Sequence, residues 1–248
     1  MSDPCQFLEW DSHFFGFAVG QVLPVRIDSH SLELIMAWAE SRKIRCLYCL
    51  RSIDDLDAAA LLAERGFRVA DIRVTLDIDL TGRKPAEHPD SGFGLRTADP
   101  SDLPALLDIA QTCHVQSRFF SDKGFPRERC GELYRHWIRR DLADPAATVL
   151  AAGPPGRPVG YMSYRLDSPE EASMRLMGVA GEARERGLGA RLMGAALDQA
   201  HNQGRRRATV VTQGSNMGAQ RLFQKLGFRT SRMEMWFHRW FPRPLDPG

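Results

Sequence analysis

The stretch Ala183-Arg184-Glu185-Arg186-Gly187-Leu188-Gly189-Ala190-Arg191-Leu192-Met193 decides the fold of this chain. It has the pattern Arg-x-x-Gly-x-Gly, follows an apolar run at residues 174–180 that is typical of a buried strand, and leads into an amphipathic helix. A strand, a glycine loop and a helix in this order favour phosphate binding. Glycine permits close backbone approach, and the helix N-terminus presents free N–H groups and positive potential.

The simpler interpretation of the same glycines is a tight turn before a helix. The pattern lacks the Gly-Lys-Ser/Thr of a P-loop, and it has no third glycine for a dinucleotide-binding fold. The glycine loop alone therefore leaves phosphate binding and a plain turn both open, and the surrounding sequence has to separate them.

Length and composition indicate an ordinary globular protein of one large or two small domains. The 248 residues are 43% hydrophobic and 26% charged, with a net charge of +2. Such a weak charge predicts no general attraction to nucleic acid or membrane. No apolar run is long enough to span a bilayer, and residues 1–4 do not resemble a signal peptide.

The five cysteines are scattered, which favours a reducing cytoplasm over a disulfide framework. Cys46 and Cys49 form a CxxC pair inside an apolar segment typical of a strand, where residues three apart point to opposite faces. No second Cys or His pair lies nearby for zinc, so we expect packed core thiols and no metal site.

Two units and a polar connection are predicted along the chain. The first unit, residues 1–81, has a strand-rich opening at 7–27, helices at 31–42 and 54–64, and strands at 44–50 and 68–80. Residues 82–92 are rich in proline and glycine and predict a linker. The second unit spans 93–241, and a proline-rich tail follows at 242–248.

The second unit carries two motifs that together resemble one known superfamily. Its predicted order is β-α-α-β-β-β-α-β-α-β, with the glycine loop opening the central helix. The second motif is Asn216-x-x-Ala219-x-x-Leu222-Phe223-x-x-x-Gly227-Phe228. This combination resembles the GCN5-related N-acetyltransferase (GNAT) superfamily. The resemblance implies an α/β fold with a mixed central sheet flanked by helices, here preceded by a smaller α/β N-terminal domain.

Three further matches span both units. Trp10-x-x-x-Phe14-Phe15-Gly16, the stretch from Gln116 to Phe119, and Tyr134-x-x-Trp137-Ile138 are similar to segments of the dTDP-fucosamine acetyltransferases of cell-surface polysaccharide synthesis. This resemblance implies an acceptor amine on a nucleotide-linked sugar. It suggests five acceptor-binding residues: Phe15, Arg73, Gln116, Arg118 and Phe119.

The superfamily resemblance also implies acetyl-CoA as co-substrate and direct attack by an uncharged amine on the thioester. The pyrophosphate would lie over the loop of Arg184, Glu185, Arg186, Gly187, Leu188 and Gly189. The pantetheine arm would lie beside the strand of Leu176, Met177, Gly178 and Val179, where a backbone N–H would hold the oxyanion. The second motif adds Asn216, Ala219 and Phe223 to the expected acetyl-CoA contacts.

The chain departs from the superfamily at its usual acid. A tyrosine in the second motif normally protonates the departing thiolate, and this sequence has Phe223 there. A thiol pKa near 8.5 makes the thiolate a tolerable leaving group, so we expect an active but altered site. Water or the hydroxyl of Tyr161, Ser163 or Tyr164 could substitute, and Tyr164 is taken as the catalytic candidate.

The general base is predicted on the strand at 68–80. Asp71 is the candidate carboxylate, although the register could place Arg73 there as a clamp for a substrate phosphate. His114 is a titratable alternative. Arg118 could bind the diphosphate of a nucleotide sugar, against the alternative of an ordinary surface ion pair.

Two other functions remain open at this stage. One is a GNAT acetyltransferase for a peptide, an amino acid or an antibiotic amine, and the other is a non-catalytic acyl-CoA-binding protein. The expected partner is a small-molecule amine, with neither nucleic acid nor membrane, and a homodimer is a guess from the fold alone.

Overall fold

The structure is a computed structural model that describes residues 3–24, 26–84 and 92–242. Within these ranges the strands form one ten-stranded mixed sheet. They are β1 Cys5–Phe7, β2 Val19–Val22, β3 Cys46–Ser52, β4 Arg68–Asp79, β5 Leu95–Thr97, β6 Ala147–Ala152, β7 Gly160–Leu166, β8 Glu171–Val179, β9 Arg207–Gln213 and β10 Arg229–Trp240. The helices are α1 Glu9–Phe15, α2 Ser29–Ser41, α3 Leu56–Glu64, α4 Leu103–Cys113, α5 Arg118–Ser121, α6 Arg127–Ala143, α7 Leu188–Asn202 and α8 Met217–Lys225. The predicted α/β class with a mixed, helix-flanked sheet is confirmed.

The strand order interleaves the two predicted units. It is β1-β2-β3-β10-β4-β9-β8-β7-β6-β5, so β4 of the first unit lies between β9 and β10 of the second. Both of its pairings are antiparallel. Most of the predicted linker and nearly all of the predicted tail lie outside the described residues. The division into two sequence units stays a prediction, and the two units share one sheet.

The opening segment differs from the prediction in its middle. Residues 9–15 form the helix α1, where a strand-rich segment was expected. Glu9 and Asp11 lie in its first turn, where acids complement the helix dipole. Gly16 ends the helix with φ 76°, a left-handed conformation that glycine adopts readily. The strands β1 and β2 flank this helix.

Helices cover both faces of the sheet and bury three apolar clusters. One lies under α7 and α8, a second under α1, α4 and α6, and a third under α2 and α3. Cys46 belongs to the second cluster and Cys49 to the third, so the two thiols are buried on opposite faces, as predicted. No helix in the described ranges has the length and apolar character needed to cross a membrane.

The central strands β8 and β9 separate part-way along their length. Their parallel pairing ends at Met174 and Val210, and β8 continues to Val179 paired only with β7. From Val211 onward β9 is paired only with β4. The sheet is therefore open between the last residues of these two strands.

Candidate functional site

A cleft of about 270 Å³ fills the opening between β8 and β9. Residues from both faces of the sheet meet in it, with α7 and α8 on one side and α6 and the end of α4 on the other. Its lining includes Cys113, His114, Gln116, Tyr134, Trp137, Arg175, Leu176, Met177, Met193, Thr212, Gln213, Asn216, Ala219 and Phe223. Six of the predicted site residues are brought together here: Gln116, Leu176, Met177, Asn216, Ala219 and Phe223.

The glycine loop has the geometry of an anion site. Gly187 caps α7 with φ 73°, and no side chain in the described part of the chain caps the first N–H groups of the helix. Glu185 also has a positive φ, 63°, which is uncommon for a residue with a side chain. Arg184, Glu185, Arg186 and Gly187 are exposed, whereas Leu188 is buried and Gly189 half-buried. The loop therefore presents free backbone donors and two arginines to solvent.

The end of β8 contacts the glycine loop through a hydrogen bond. The Nε of Arg184 donates to the carbonyl of Val179 at 3.1 Å. A Cβ on Gly178 would lie 2.7 Å from Tyr161 Cε1 and 2.9 Å from Ile109 Cγ2, so this position has room only for glycine. The N–H of Leu176 donates to Ser163 Oγ at 3.1 Å. This N–H, one of those expected to hold the oxyanion, therefore already has a side-chain acceptor.

The second motif forms α8 at the opposite wall. Asn216 caps this helix by accepting from the N–H of Ala219 at 3.2 Å. Phe223 lies one turn beyond Ala219 and is 4% exposed. Its ring packs against Phe228 with centroids 5.8 Å apart, and it also lines the cleft. The position of the usual tyrosine acid therefore faces the cleft without a hydroxyl.

The predicted substitute hydroxyls occupy different places. Tyr164 is fully buried in the cluster under α7, and its Oη donates to Gln199 Oε1 at 2.7 Å, so it does not reach the cleft. Ser163 Oγ donates to Asp141 Oδ2 at 2.8 Å. Tyr161 Oη lies 2.9 Å from His114 Nε2, and His114 lines the cleft.

His114 is held on two sides. Its ring stacks on Tyr134 with centroids 4.4 Å apart and 10° between the planes. Burial lowers the pKa of His114 to about 4, so the imidazole is neutral at physiological pH. Nε2 of His114 and Oη of Tyr161 share a hydrogen bond whose direction depends on the imidazole tautomer, and Nδ1 has no hydrogen-bond partner among the described residues.

Asp71 and Arg73 lie on one face of β4, two residues apart. Burial raises the pKa of Asp71 to about 6, and the N–H of Ile72 donates to its Oδ1 at 2.8 Å. Arg73 Nη1 pairs with Glu234 Oε2 at 2.9 Å. Asp71 is thus a partly buried carboxylate of raised pKa, while Arg73 already has a carboxylate partner.

Arg118 is enclosed by aromatic rings. Its guanidinium lies 4.2 Å from the centroid of Tyr48, 4.1 Å from that of Trp236 and 4.4 Å from that of Phe119. Its charge opposes the rise in the pKa of Asp71, so the two groups are neighbours. An ordinary surface ion pair does not describe this residue.

A chain of hydrogen bonds fixes the other side of Arg118. Its Nη1 lies 2.9 Å from His238 Nε2, and His238 Nδ1 lies 2.6 Å from Asp122 Oδ2. Trp240 Nε1 donates to the same carboxylate oxygen at 2.8 Å. Burial lowers the pKa of His238 to about 4, so the neutral ring accepts from Arg118 and donates to Asp122.

Phe15 and Phe119 do not line the cleft. Both are buried, with ring centroids 5.6 Å apart, in the aromatic cluster beneath Arg118. Asp11 of α1 lies within the electrostatic influence of Arg118. Burial raises the pKa of Asp11, and the positive charge of Arg118 opposes that rise. The α1 side chain near Arg118 is therefore Asp11, a residue that no motif in the sequence singled out.

A splayed parallel strand pair and a glycine loop that caps the following helix are features of an acetyltransferase site of the GNAT class. Residues 103–228 match the family model described as Acetyltransferase (GNAT) family. The chain belongs to this family and is an acyl-CoA-dependent N-acyltransferase.

Two relatives share sequence similarity with this chain over different parts of its length. The chain is 29% identical over 236 residues to a dTDP-fucosamine acetyltransferase of Escherichia coli O6:H1 (strain CFT073), covering 94% of this chain and 96% of the relative. It is 28% identical over 148 residues to the spore coat polysaccharide biosynthesis protein SpsD of Bacillus subtilis (strain 168), covering 60% of this chain. The match spans about half of that relative's length, 51%.

The fold is shared with solved GNAT structures. A GCN5-related N-acetyltransferase from Sphaerobacter thermophilus superposes with a TM-score of 0.68 over 95% of this chain and 76% of its own, at 16% identity. Identity this low establishes the fold alone.

Proposed function

We propose that this enzyme transfers an acetyl group from acetyl-CoA to the amine of a nucleotide-linked amino sugar, for surface polysaccharide or glycoconjugate synthesis. The observation that carries the proposal is a carboxylate of raised pKa, Asp71, beside a ring-enclosed guanidinium, Arg118, on a face of the sheet next to the cleft. The name of the E. coli relative, which matches almost end to end, points to the same acceptor class.

The described residues fit acetyl-CoA in two places. The uncapped N–H groups at the start of α7, with Arg184 and Arg186, suit a pyrophosphate. The open edge of β8, at Leu176–Val179, suits an extended amide-bearing arm beside Asn216 and Ala219. When bound, acetyl-CoA supplies the acetyl group as an activated thioester.

Asp71 is proposed as the general base. The acceptor amine is protonated in solution and must lose a proton before its lone pair can attack the carbonyl carbon. A carboxylate with a pKa near 6 is ionised at neutral pH and accepts that proton better than an ordinary aspartate does. Arg118 lies beside it to orient the acceptor.

His114 is proposed as the donor that replaces the missing tyrosine. As the new C–N bond forms and the C–S bond breaks, negative charge passes to the departing sulfur. In this proposal Tyr161 Oη donates to Nε2, the tautomer that leaves an N–H on Nδ1 for the departing sulfur. A neutral imidazole can stabilise developing negative charge as a hydrogen-bond donor without becoming charged.

Free thiol release from acetyl-CoA tests the function with a panel of dTDP- and UDP-linked amino sugars, free amino sugars, amino acids, aminoglycosides and short peptides. We expect turnover with a nucleotide-linked amino sugar at a kcat/KM at least tenfold above any peptide or aminoglycoside. Preference for a peptide or drug amine would move the function to that acceptor class. Tight acetyl-CoA binding without release of thiol for any amine would make the protein a binding protein.

A further inference from the structure

A second cavity, of about 700 Å³, lies at the start of β4, next to Asp71 and apart from the cleft. One wall comes from β4 and the other from the segment that follows α5, with β10 between them. The lining residues are Gly66, Arg68, Val69, Ala70, Ser121, Asp122, Lys123, Gly124, His238 and Trp240. None of the acetyl-transfer steps above uses this space.

A β-bulge turns Arg68 toward the face that carries Asp71. On β10, Asp71 pairs with Trp236 and Arg68 pairs with His238, and the register shifts between these pairs. Trp236 and His238 are two residues apart, so they point to the same face. Asp71 and Arg68 are three residues apart and would otherwise point to opposite faces. The extra residue, Ala70, brings them together.

The cavity carries a net positive charge, because Arg68 and Lys123 outnumber Asp122 among its described lining residues. Arg68 and Lys123 are exposed, and neither forms an ion pair with a described residue. Asp122 is the one carboxylate among the described lining residues, and its oxygens accept from His238, Trp240 and the N–H of Gly124. His238 is neutral at physiological pH because burial lowers its pKa to about 4.

The spacing between Asp71 and Arg68 along the strand is comparable to the width of one sugar ring. Arg68 lies two paired positions beyond Asp71, about 7 Å along the strand. A sugar whose amine meets Asp71 would place its far side, where a nucleotide is attached, near Arg68 and Lys123. Two unpaired cations facing one cavity are suited to a diphosphate, whose charge is spread over several oxygens.

We propose that Arg68 and Lys123 form the subsite for the diphosphate of the nucleotide-linked acceptor. This inference rests on the proposed function, and it explains how the enzyme would select a nucleotide-linked sugar over the free sugar. The bulge at Ala70 is the feature that joins the subsite to the catalytic carboxylate.

The test compares Arg68→Gln, Lys123→Gln and the double variant with the parent protein, using the nucleotide-linked amino sugar and the same sugar without its nucleotide. Each single variant is expected to raise KM for the nucleotide-linked sugar about tenfold, the range of a lost charge-assisted hydrogen bond. We expect kcat, KM for acetyl-CoA and turnover of the free sugar to remain within twofold. Arg229→Gln removes an exposed arginine at the far end of β10 and is the matched control.

Calorimetric titration with dTDP tests, independently of turnover, whether Arg68 and Lys123 bind the diphosphate. Binding by the parent that weakens at least thirtyfold in the double variant supports the subsite. Equal binding by both proteins, or no binding by the parent, overturns it. An unchanged KM in the double variant also overturns the subsite while leaving the proposed function standing. Failure of the parent to acetylate any amino sugar removes the proposed function itself.

Discussion

Exchanging the hydrogen-bond donors in the cleft tests how this enzyme works without the usual tyrosine. The variants are His114→Phe, Phe223→Tyr and the double variant. Phenylalanine keeps the stacking on Tyr134 and removes both ring nitrogens of His114. Tyrosine at 223 restores a hydroxyl on α8 at a position that already lines the cleft.

The expected size of the effect follows from the group that His114 stabilises. A hydrogen bond to a charged group contributes about 1.5–3 kcal/mol, and each 1.4 kcal/mol is a factor of ten in rate. His114→Phe should therefore lower kcat about 10- to 100-fold. Phe223→Tyr should raise kcat of the parent only a few-fold, because a donor is already present. In the His114→Phe background the same tyrosine should restore kcat to within about tenfold of the parent.

The assay is steady-state thiol release at saturating acetyl-CoA, repeated with acetyl thioesters of more acidic thiols. A donor to the departing sulfur matters less as the thiol pKa falls, so the loss in His114→Phe should shrink with the better leaving groups. Circular dichroism and the thermal midpoint of each variant check that the fold is retained. Thr212→Val, which removes another polar group from the cleft lining at a residue with no proposed role, is the control.

Three results would refute this reasoning. His114→Phe could keep the kcat of the parent, or the loss could be the same for every leaving group. The third is equal gains from Phe223→Tyr in both backgrounds. That outcome would mean that the two side chains act independently, and the donor would then be water or another group.

Further predictions concern the base, a buried ion pair and the glycine loop. The pKa of Asp71 is raised to about 6, so kcat/KM should fall tenfold per pH unit below pH 6. Asp71→Asn should abolish turnover. Because burial disfavours the ionised carboxylate at pH 7, the same variant should raise the free energy of unfolding at that pH by about 1–2 kcal/mol. Asp102 is fully buried, pairs with Arg96 at 2.6 Å, and has its pKa lowered to about 2. Its stabilisation should be complete above about pH 4 and lost as the pH falls toward 2, and Asp102→Ala should lower the urea-derived free energy of unfolding by about 2–4 kcal/mol. Gly187→Ala strains a residue with φ 73° and should raise KM for acetyl-CoA, whereas Gly204→Ala, equally strained at the other end of α7 with φ 82°, should leave that KM unchanged.

Local patterns predicted the fold and the acetyl-CoA side of the site. The glycine loop, the Asn216 cap and the apolar spacing of α7 are all contained in short segments, because helix caps and loop conformations depend on nearby residues. The order of elements in the second unit followed from the same signals. The family match covers this part of the chain, residues 103–228.

The acceptor side could not be predicted at the level of side chains. Tyr161 meets His114 from 47 positions away, and His238 meets Arg118 from 120 positions away. Pairing over such distances depends on strand register. The bulge that reorients Arg68 likewise has no local sequence signal beyond Ala70 itself.

Tyr164 is a second case in which the sequence did not predict where a side chain lies. A tyrosine on a central strand is a reasonable candidate for the acid. The alternation of side chains along a strand does not tell which of its two faces meets the cleft. Alternation along β7 places Tyr164 with Met162 in the cluster under α7, where Tyr164 donates to Gln199, and Tyr161 in the cluster on the other face. The hydroxyl nearer the cleft belongs to Tyr161, three residues earlier.

The position of β4 between β9 and β10 has a consequence for how the chain acquires its structure. During synthesis β4 is complete long before its two partners, which are separated from it by about 130 and 160 residues, have left the ribosome. Until then its backbone N–H and C=O groups form an open edge on each side, which invites pairing with other chains. We expect slow folding that ends with the insertion of β4, and a strong dependence of soluble yield on chaperones. A fragment that starts at residue 93 would retain the whole glycine loop and still leave β9 and β10 without the strand that joins them.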